Sequence, residues 1–268
     1  MFIEHEGVKL FYEDVGQGSP ALVFVHGWLM THEVWGDQVR AFAPHTRVIT
    51  PDLRGFGQSD KPPGEYTFKR FAADLHEMLN QLGVQRPILV GWSKGASIGL
   101  VYASLYPDEL TGLALVGGGA KFISTGDYPY GLPAPIFDDL LQQFEADFEG
   151  STRGFIEGML PERPGAHPLK DDLLNLCRTA VPAVALNSLR NDAADDLRGL
   201  LPELRLPVLI ACGERDTVCS VAGSVYMRDR LPDAQLQIFP GLGHAPFLTD
   251  PAAFNQHLGA FISRLRPA

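Results

Sequence analysis

Gly91-Trp92-Ser93-Lys94-Gly95, Asp216 and Gly243-His244 hold the residue types that nucleophilic chemistry needs. A serine hydroxyl attacks a carbonyl only when a base takes its proton, and imidazole is the side chain that titrates in the right range. A carboxylate bonded to the other ring nitrogen sets the tautomer and stabilises the imidazolium that forms. Ser93 is therefore expected to act as nucleophile, His244 as base and Asp216 as orienting acid, in two-step acyl transfer from a small-molecule carboxylic ester to water. This chemistry calls for no metal and no organic cofactor.

Chain order supports these choices. Where Gly-x-Ser-x-Gly marks a nucleophile, the acid and then the histidine follow it. Of the eight histidines only His244 and His257 come after Asp216, and His257 falls inside the last helical pattern. Glu214, Asp195 and Asp196 compete with Asp216, but only Asp216 is followed by a short loop in the expected position. The oxyanion that develops at the carbonyl needs two N–H donors. One is expected from the residue after the nucleophile, Lys94, and the other from Trp28, in the loop after an early strand.

Gly-x-Ser-x-Gly by itself is a weak signal in a chain with 28 glycines, because an ordinary Gly-rich turn looks the same. The elements around it give it meaning. Residues 2–5 and 8–14 read as a hairpin turned at Gly7, and Ala21–Val25 as a buried strand running into His26-Gly27. Arg47–Thr50 is the next strand, followed by a loop with Gly55-Phe56-Gly57. Phe68, Phe71, Leu75, Leu79 and Leu82 then recur at helical spacing up to Gly83. Ile88–Trp92 reads as a strand, Ala96–Tyr106 as a helix and Leu113–Val116 as a strand. The β-α-β rhythm stops between about 121 and 206, where helical patterns such as Ile136–Phe148 and Leu169–Arg178 lie between Pro and Gly clusters. It resumes with the strand Val208–Cys212, a helix near Val221–Leu231, the strand Gln235–Phe239 and a final helix capped by Asp250. In such a sheet, working loops follow the C-terminal ends of strands. Ser93, Asp216 and His244 each do.

Composition narrows the partners. The 268 residues carry a net charge of −10, which works against attraction to nucleic acid or an anionic membrane. With 45% hydrophobic and 20% charged residues the chain is expected to fold as one globular unit. No stretch approaches the ~18 apolar residues that span a bilayer, and the acidic start lacks the charge of a secretory signal, so a cytoplasmic location is expected. Three cysteines, Cys177, Cys212 and Cys219, fit neither a disulfide framework nor a zinc site. Oligomeric state leaves no mark.

Taken with His26-Gly27-Trp28 and Asp52-Leu53-Arg54-Gly55-Phe56-Gly57-Gln58-Ser59, these motifs resemble the α/β-hydrolase superfamily along the whole chain. The resemblance implies an α/β fold with a mostly parallel eight-stranded sheet flanked by helices. It also implies a single domain with its core at 1–120 and 207–268 and a helical cap at about 121–206. Within the superfamily the chain most resembles the biotin-pathway carboxylesterases that demethylate a pimeloyl-carrier-protein methyl ester. The matches are His26-Gly27-Trp28, Gly91-Trp92-Ser93, a cap stretch with Phe122, Asp127, Asp147-Phe148 and Phe155, and His244-Ala245-Pro246-Phe247. That likeness implies an ester presented on acyl-carrier protein, with Trp28 and Phe155 flanking the acyl chain.

The chain departs from that pattern twice. The family that it resembles looks to its cap for arginines that grip an acidic carrier protein, but here Gly150 and Gly154 stand near those positions, leaving Arg153, Arg163 and Lys170 as substitutes. Lys94 stands where an uncharged residue is usual; its ammonium group either lies near the cap and favours an acyl chain with a distal anion, or reaches solvent. Enol-lactone hydrolysis, C–C bond hydrolysis and perhydrolysis use the same triad and stay open, as does a binding protein that lost catalysis on this fold. A dehalogenase would need aspartate where Ser93 stands.

Overall fold

The computed structural model describes residues 1–265. The chain opens with an antiparallel hairpin, β1 (Phe2–His5) and β2 (Val8–Val15), and continues with β3 (Leu22–Val25). A 3-10 turn (His32–Trp35) and α1 (Gly36–Phe42) lead to β4 (Val48–Pro51), α2 (Phe68–Gln81), β5 (Ile88–Trp92), α3 (Lys94–Leu105) and β6 (Gly112–Val116). Four helices follow, α4 (Ala134–Ala146), α5 (Phe148–Met159), α6 (Pro168–Cys177) and α7 (Pro182–Ala194), and then a second 3-10 turn (Arg198–Glu203). The chain finishes with β7 (Val208–Gly213), α8 (Val221–Arg228), β8 (Ala234–Phe239), α9 (Pro246–Thr249) and α10 (Pro251–Leu265).

The strands form one sheet in the order β1-β2-β4-β3-β5-β6-β7-β8. β2 meets β1 and β4 antiparallel, and every pair from β4 through β8 is parallel. The parallel strands β3, β5, β6 and β7 are apolar and buried along their whole length, as expected when helices cover both faces. From β3 the chain moves to β4 on one side and returns to β5 on the other. The sheet order therefore reverses at β3, and the C-terminal ends of β3 and β5 border the crevice where ligands bind in open α/β sheets.

The strand expectations hold to within a residue or two. Helix α2 starts where Thr67 accepts a hydrogen bond from the Arg70 N–H, and its apolar stripe of Phe68, Phe71, Leu75, Met78 and Leu79 is buried. The helical segment between β6 and β7 differs from expectation in detail. Ile136–Phe148 is not one helix, because Asp147, at φ −146°, breaks it and caps α5 through the Gly150 N–H. Helix α7 went unanticipated because Ser188 and Asp192 sit on its buried face with Val184, Ala185 and Leu189 and interrupt the apolar period. The segment leaves and returns at one point: Lys121 bridges Asp196 antiparallel, and the Leu197 N–H donates to the Ala120 carbonyl at 2.7 Å.

Candidate active site

Ser93 occupies the turn between β5 and α3 at φ 54° and ψ −114°, outside the regions an L-residue prefers. Strain of this kind costs on the order of 1–3 kcal/mol and persists only where the surroundings impose it. Here the Ser93 N–H donates to the Val116 carbonyl at 2.8 Å, and the Ser93 carbonyl accepts from Ala96 at 2.9 Å. The flanking glycines are set by close approach. A Cβ on Gly91 would lie 2.1 Å from the Gly95 carbonyl oxygen, and one on Gly95 would lie 2.3 Å from that of Val25. Trp92 and Lys94 are buried while Ser93 stays half-exposed, so the turn presents the serine alone.

His244 and Asp216 meet in the interior. Nδ1 of His244 lies 2.9 Å from Oδ2 of Asp216, and both side chains are sealed from solvent. The other carboxylate oxygen accepts from the Val218 and Cys219 N–H groups, each at 2.8 Å. An acid that accepts on both oxygens leaves Nδ1 as the donor, so Nε2 carries the lone pair. That Nε2 is buried and has no hydrogen-bond partner among the described residues. The Gly117-Gly118 loop after β6 packs close to both His244 and the turn that holds Ser93. A Cβ on Gly117 would lie 3.0 Å from His244 Nδ1, and one on Gly118 would lie 2.4 Å from Ala96 Cβ and 3.9 Å from the Ser93 carbonyl oxygen. The structure thus joins His244 to Asp216, and the Gly117-Gly118 loop reaches both His244 and the turn that holds Ser93. Among the described residues no hydrogen bond joins Ser93 to His244.

The loop after β3 supplies the next component. Among the described residues neither the Trp28 N–H nor the Lys94 N–H donates to a protein acceptor, Lys94 being the first residue of α3. Leu29, at φ 65°, turns the chain sharply after Trp28. His26 clamps the loop: Nδ1 meets the Gly27 carbonyl at 2.7 Å, and Nε2 accepts from the Leu53 N–H at 2.9 Å. Complete burial pushes its pKa down to about 4, which keeps it neutral in this role. A Cβ on Gly27 would come within 3.3 Å of Ser93 Cβ, so this loop and the turn that holds Ser93 touch. Asp52 holds the following loop through the His32 N–H, His32 Nδ1 and the Gln58 N–H at 2.7–2.8 Å. Burial opposes its charge, but the His32 hydrogen bond and the nearby imidazoles prevail and hold its pKa below the ordinary value.

A cavity opens above Ser93, with apolar walls that include Trp28, Phe68, Phe122, Leu140, Phe155 and Leu189. Trp28 and Phe155 pack edge to face at 5.5 Å, and the Trp28 indole donates to the Ala185 carbonyl on α7 at 2.9 Å. Lys94, Lys121, Asp192 and Asp195 line the same space.

Two expectations need correcting. Lys94 does not reach solvent; it is 4% exposed, and its Nζ lies 2.5 Å from Asp192 Oδ1 on α7. Its ammonium sits against α7, and its charge is already countered there. Burial draws both partners toward neutrality, lowering the Lys94 pKa and raising that of Asp192 to about 6. The three substitute cations fare unequally. Lys170 is buried against Glu157 and the Gly165 carbonyl, and Arg163 turns inward to the Thr249 carbonyl at 3.1 Å. Arg153 is 58% exposed, with Glu149 at 4.0 Å, and alone of the three stays free to meet a partner.

Asp192 is the site residue that sequence reasoning missed. Its signal was an acid on the Ala185, Ser188 and Leu189 face of a helix, in a chain with an unexplained lysine beside the nucleophile. Among the described residues no group of three or more His, Cys, Asp and Glu side chains could hold a metal, and no helix is long and apolar enough to cross a membrane.

Residues 20–168 match the family described as alpha/beta hydrolase fold. A pimeloyl-[acyl-carrier protein] methyl ester esterase of Vibrio vulnificus is 30% identical over 264 residues, covering 95% of this chain and 98% of that one. An esterase from Exiguobacterium antarcticum superposes with a TM-score of 0.94 at 28% identity, covering 98% of both chains. Est816, described as an N-acyl homoserine lactone degrading enzyme, superposes with a TM-score of 0.86 at 28% identity, covering 97% of this chain and 100% of that one. With an eight-stranded, mostly parallel sheet flanked by helices and a family match over more than half its length, this chain belongs to the α/β-hydrolase fold family.

Proposed function

We propose that the protein is a serine carboxylesterase. The observation that carries this reading is the orphaned Nε2 of His244, a buried lone pair backed by the Asp216 carboxylate, with the Gly117-Gly118 loop reaching both His244 and the turn that holds a strained, partly exposed serine. A buried ring nitrogen without a partner costs about 1–3 kcal/mol and calls for a hydroxyl to complete it. The Ser93 hydroxyl, or the water that later hydrolyses the acyl-enzyme, supplies one.

The steps follow from the groups. Nε2 takes the Ser93 proton as Oγ adds to the ester carbonyl, and the oxyanion is bound by the Trp28 and Lys94 N–H groups. The imidazolium then gives that proton to the leaving alcohol. Water, deprotonated by the same imidazole, adds to the acyl-enzyme, and Ser93 leaves as the hydroxyl. The apolar cavity suits the acyl chain, with Trp28 and Phe155 in its wall and helices α4–α7 acting as a cap. A methyl or other short-alcohol ester of a medium-length acyl group fits this division of space. The pimeloyl-[acyl-carrier protein] relatives favour a carrier-borne pimeloyl methyl ester as the natural substrate, with Arg153 as the cation offered to the carrier.

Lactone hydrolysis is the second reading, supported by the likeness to Est816. A lactone presents the same carbonyl and differs in keeping its alcohol tethered. The test is a panel of p-nitrophenyl acyl esters, methyl esters and acyl homoserine lactones, assayed with the wild type and Ser93→Ala. The expected result is highest kcat/KM on the esters and a loss of at least ~10³-fold in Ser93→Ala. Esterase activity retained by that variant would refute the assignment.

A further inference from the structure

We infer that helix α7 positions the oxyanion-binding amides and that Asp192 is a positioning residue for acyl transfer, an inference that rests on the reaction proposed above. The two residues with free amides both reach α7 with their side chains. Trp28 donates its indole N–H to the Ala185 carbonyl at 2.9 Å, and Lys94 places its ammonium 2.5 Å from Asp192 Oδ1. Ala185 and Asp192 stand seven positions apart, two helical turns or roughly 10.5 Å on one face. One helix from the segment between β6 and β7 therefore holds both donors, which come from different strand ends of the sheet.

Both amides need such support. Trp28 precedes the strained Leu29, and Lys94 follows the strained Ser93, so each peptide sits beside a turn that relaxation would rotate. Donors to an oxyanion act only when held in place before the charge develops. The Lys94 ammonium is otherwise bounded by the Phe68 and Phe71 rings at 5.3 and 4.8 Å, which attract it without fixing a direction. Asp192 supplies the direction. Stability alone does not account for this pair, because well-packed apolar residues in place of a buried ion pair are often neutral or stabilising.

The experiment compares wild type with Asp192→Asn and with the double variant Lys94→Met/Asp192→Leu, which keeps the apolar packing between α3 and α7. Three quantities are read on one ester: kcat, KM, and inhibition by two analogues. A trifluoromethyl ketone forms an oxyanion in the donor site, whereas the matching secondary alcohol does not. The double variant should lose at least tenfold in kcat with KM within twofold, and the ketone should weaken by the factor lost in kcat/KM while the alcohol binds as before. Asp192→Asn, which keeps an acceptor, should fall between. Wild-type kcat in the double variant at unchanged Tm, or equal weakening of ketone and alcohol, would overturn the inference while Ser93→Ala remains inactive. Activity retained in Ser93→Ala would instead overturn the acyl-transfer reading, and this inference with it.

Discussion

The indole N–H of Trp92 donates to the carbonyl of His244 at 3.0 Å, so the residue before Ser93 holds the backbone of His244. The rings of the two residues lie 5.6 Å apart, and both residues are buried. The middle position of Gly91-Trp92-Ser93 thereby gains a reason beyond packing. Trp92→Phe keeps an aromatic ring but leaves the buried His244 carbonyl unsatisfied, a cost of about 1–3 kcal/mol. The expected outcome is a lower Tm with kcat reduced about tenfold or more as the imidazole drifts. Unchanged kcat would separate the Trp92 bond from the placement of the base.

Asp216→Asn tests the orienting acid. Asparagine can still accept the Val218 and Cys219 amides through its oxygen, so the fold should survive. Its amide then donates toward Nδ1 and forces the proton onto Nε2, the wrong tautomer for a base. In a serine-protease triad the equivalent change costs ~10⁴-fold in kcat, and a loss of that order is expected here. A loss below tenfold, at a wild-type melting temperature, would remove Asp216 from the mechanism.

How far the sequence could be read divides along physical lines. Strands β3, β5, β6 and β7 are continuous apolar runs closed by turn residues, so the sheet was legible, and Ser93, Asp216 and His244 do follow three of the strand ends. Helix α7 was hidden because its buried face carries Ser188 and Asp192, and only a partner across space accounts for a buried aspartate. The break at Asp147 was hidden for a related reason: Phe144 and Phe148 continue the apolar spacing across it, while a local cap decides the backbone. Lys170 and Arg163 turn inward to partners that no local pattern announces, Gly165 and Glu157 for the first and the distant Thr249 carbonyl for the second.

Gly95→Ala should disable the nucleophile turn. The added Cβ would meet the backbone oxygens of Val25 at 2.3 Å and His26 at 2.9 Å, neither of which can swing aside as a side chain would. Relief requires α3 to move off β3, at a cost of about 1–3 kcal/mol or more. Activity should fall further than stability, since the same movement displaces the Lys94 N–H. Thermal melts and kcat on one p-nitrophenyl ester read both effects, and wild-type values in each would contradict the close approach.

His26 makes stability depend on pH. Its folded pKa is lowered to about 4 from 6.5, mainly by burial, so the unfolded chain binds a proton that the folded one refuses. The contribution is complete above pH 6.5 and is lost as pH falls from there to about 4. A shift of that size amounts to roughly 3 kcal/mol over the window. Urea unfolding of wild type and His26→Gln at pH 7 and pH 4.5 should give a gap that shrinks at the lower pH. A gap that stays constant would mean His26 is not held neutral.

The paired charges beside Ser93 predict which acyl chains the cavity rejects. Asp192 counters Lys94, and Lys121 is held by Asp196 at 2.9 Å, while Asp195 lines the same wall. A distal carboxylate would shed its water and meet cations already engaged and acids close by, and an uncompensated buried charge costs several kcal/mol. Dimethyl pimelate should therefore exceed monomethyl pimelate in kcat/KM by at least about tenfold, or about 1.4 kcal/mol. Asp192→Asn keeps an acceptor but removes the counter-charge, and should narrow that ratio because a substrate carboxylate can then compensate the Lys94 ammonium. Equal rates on the two esters in the wild type would show that the chain end never reaches this wall. Preference for the monoacid would show that Lys94 leaves Asp192 to receive it.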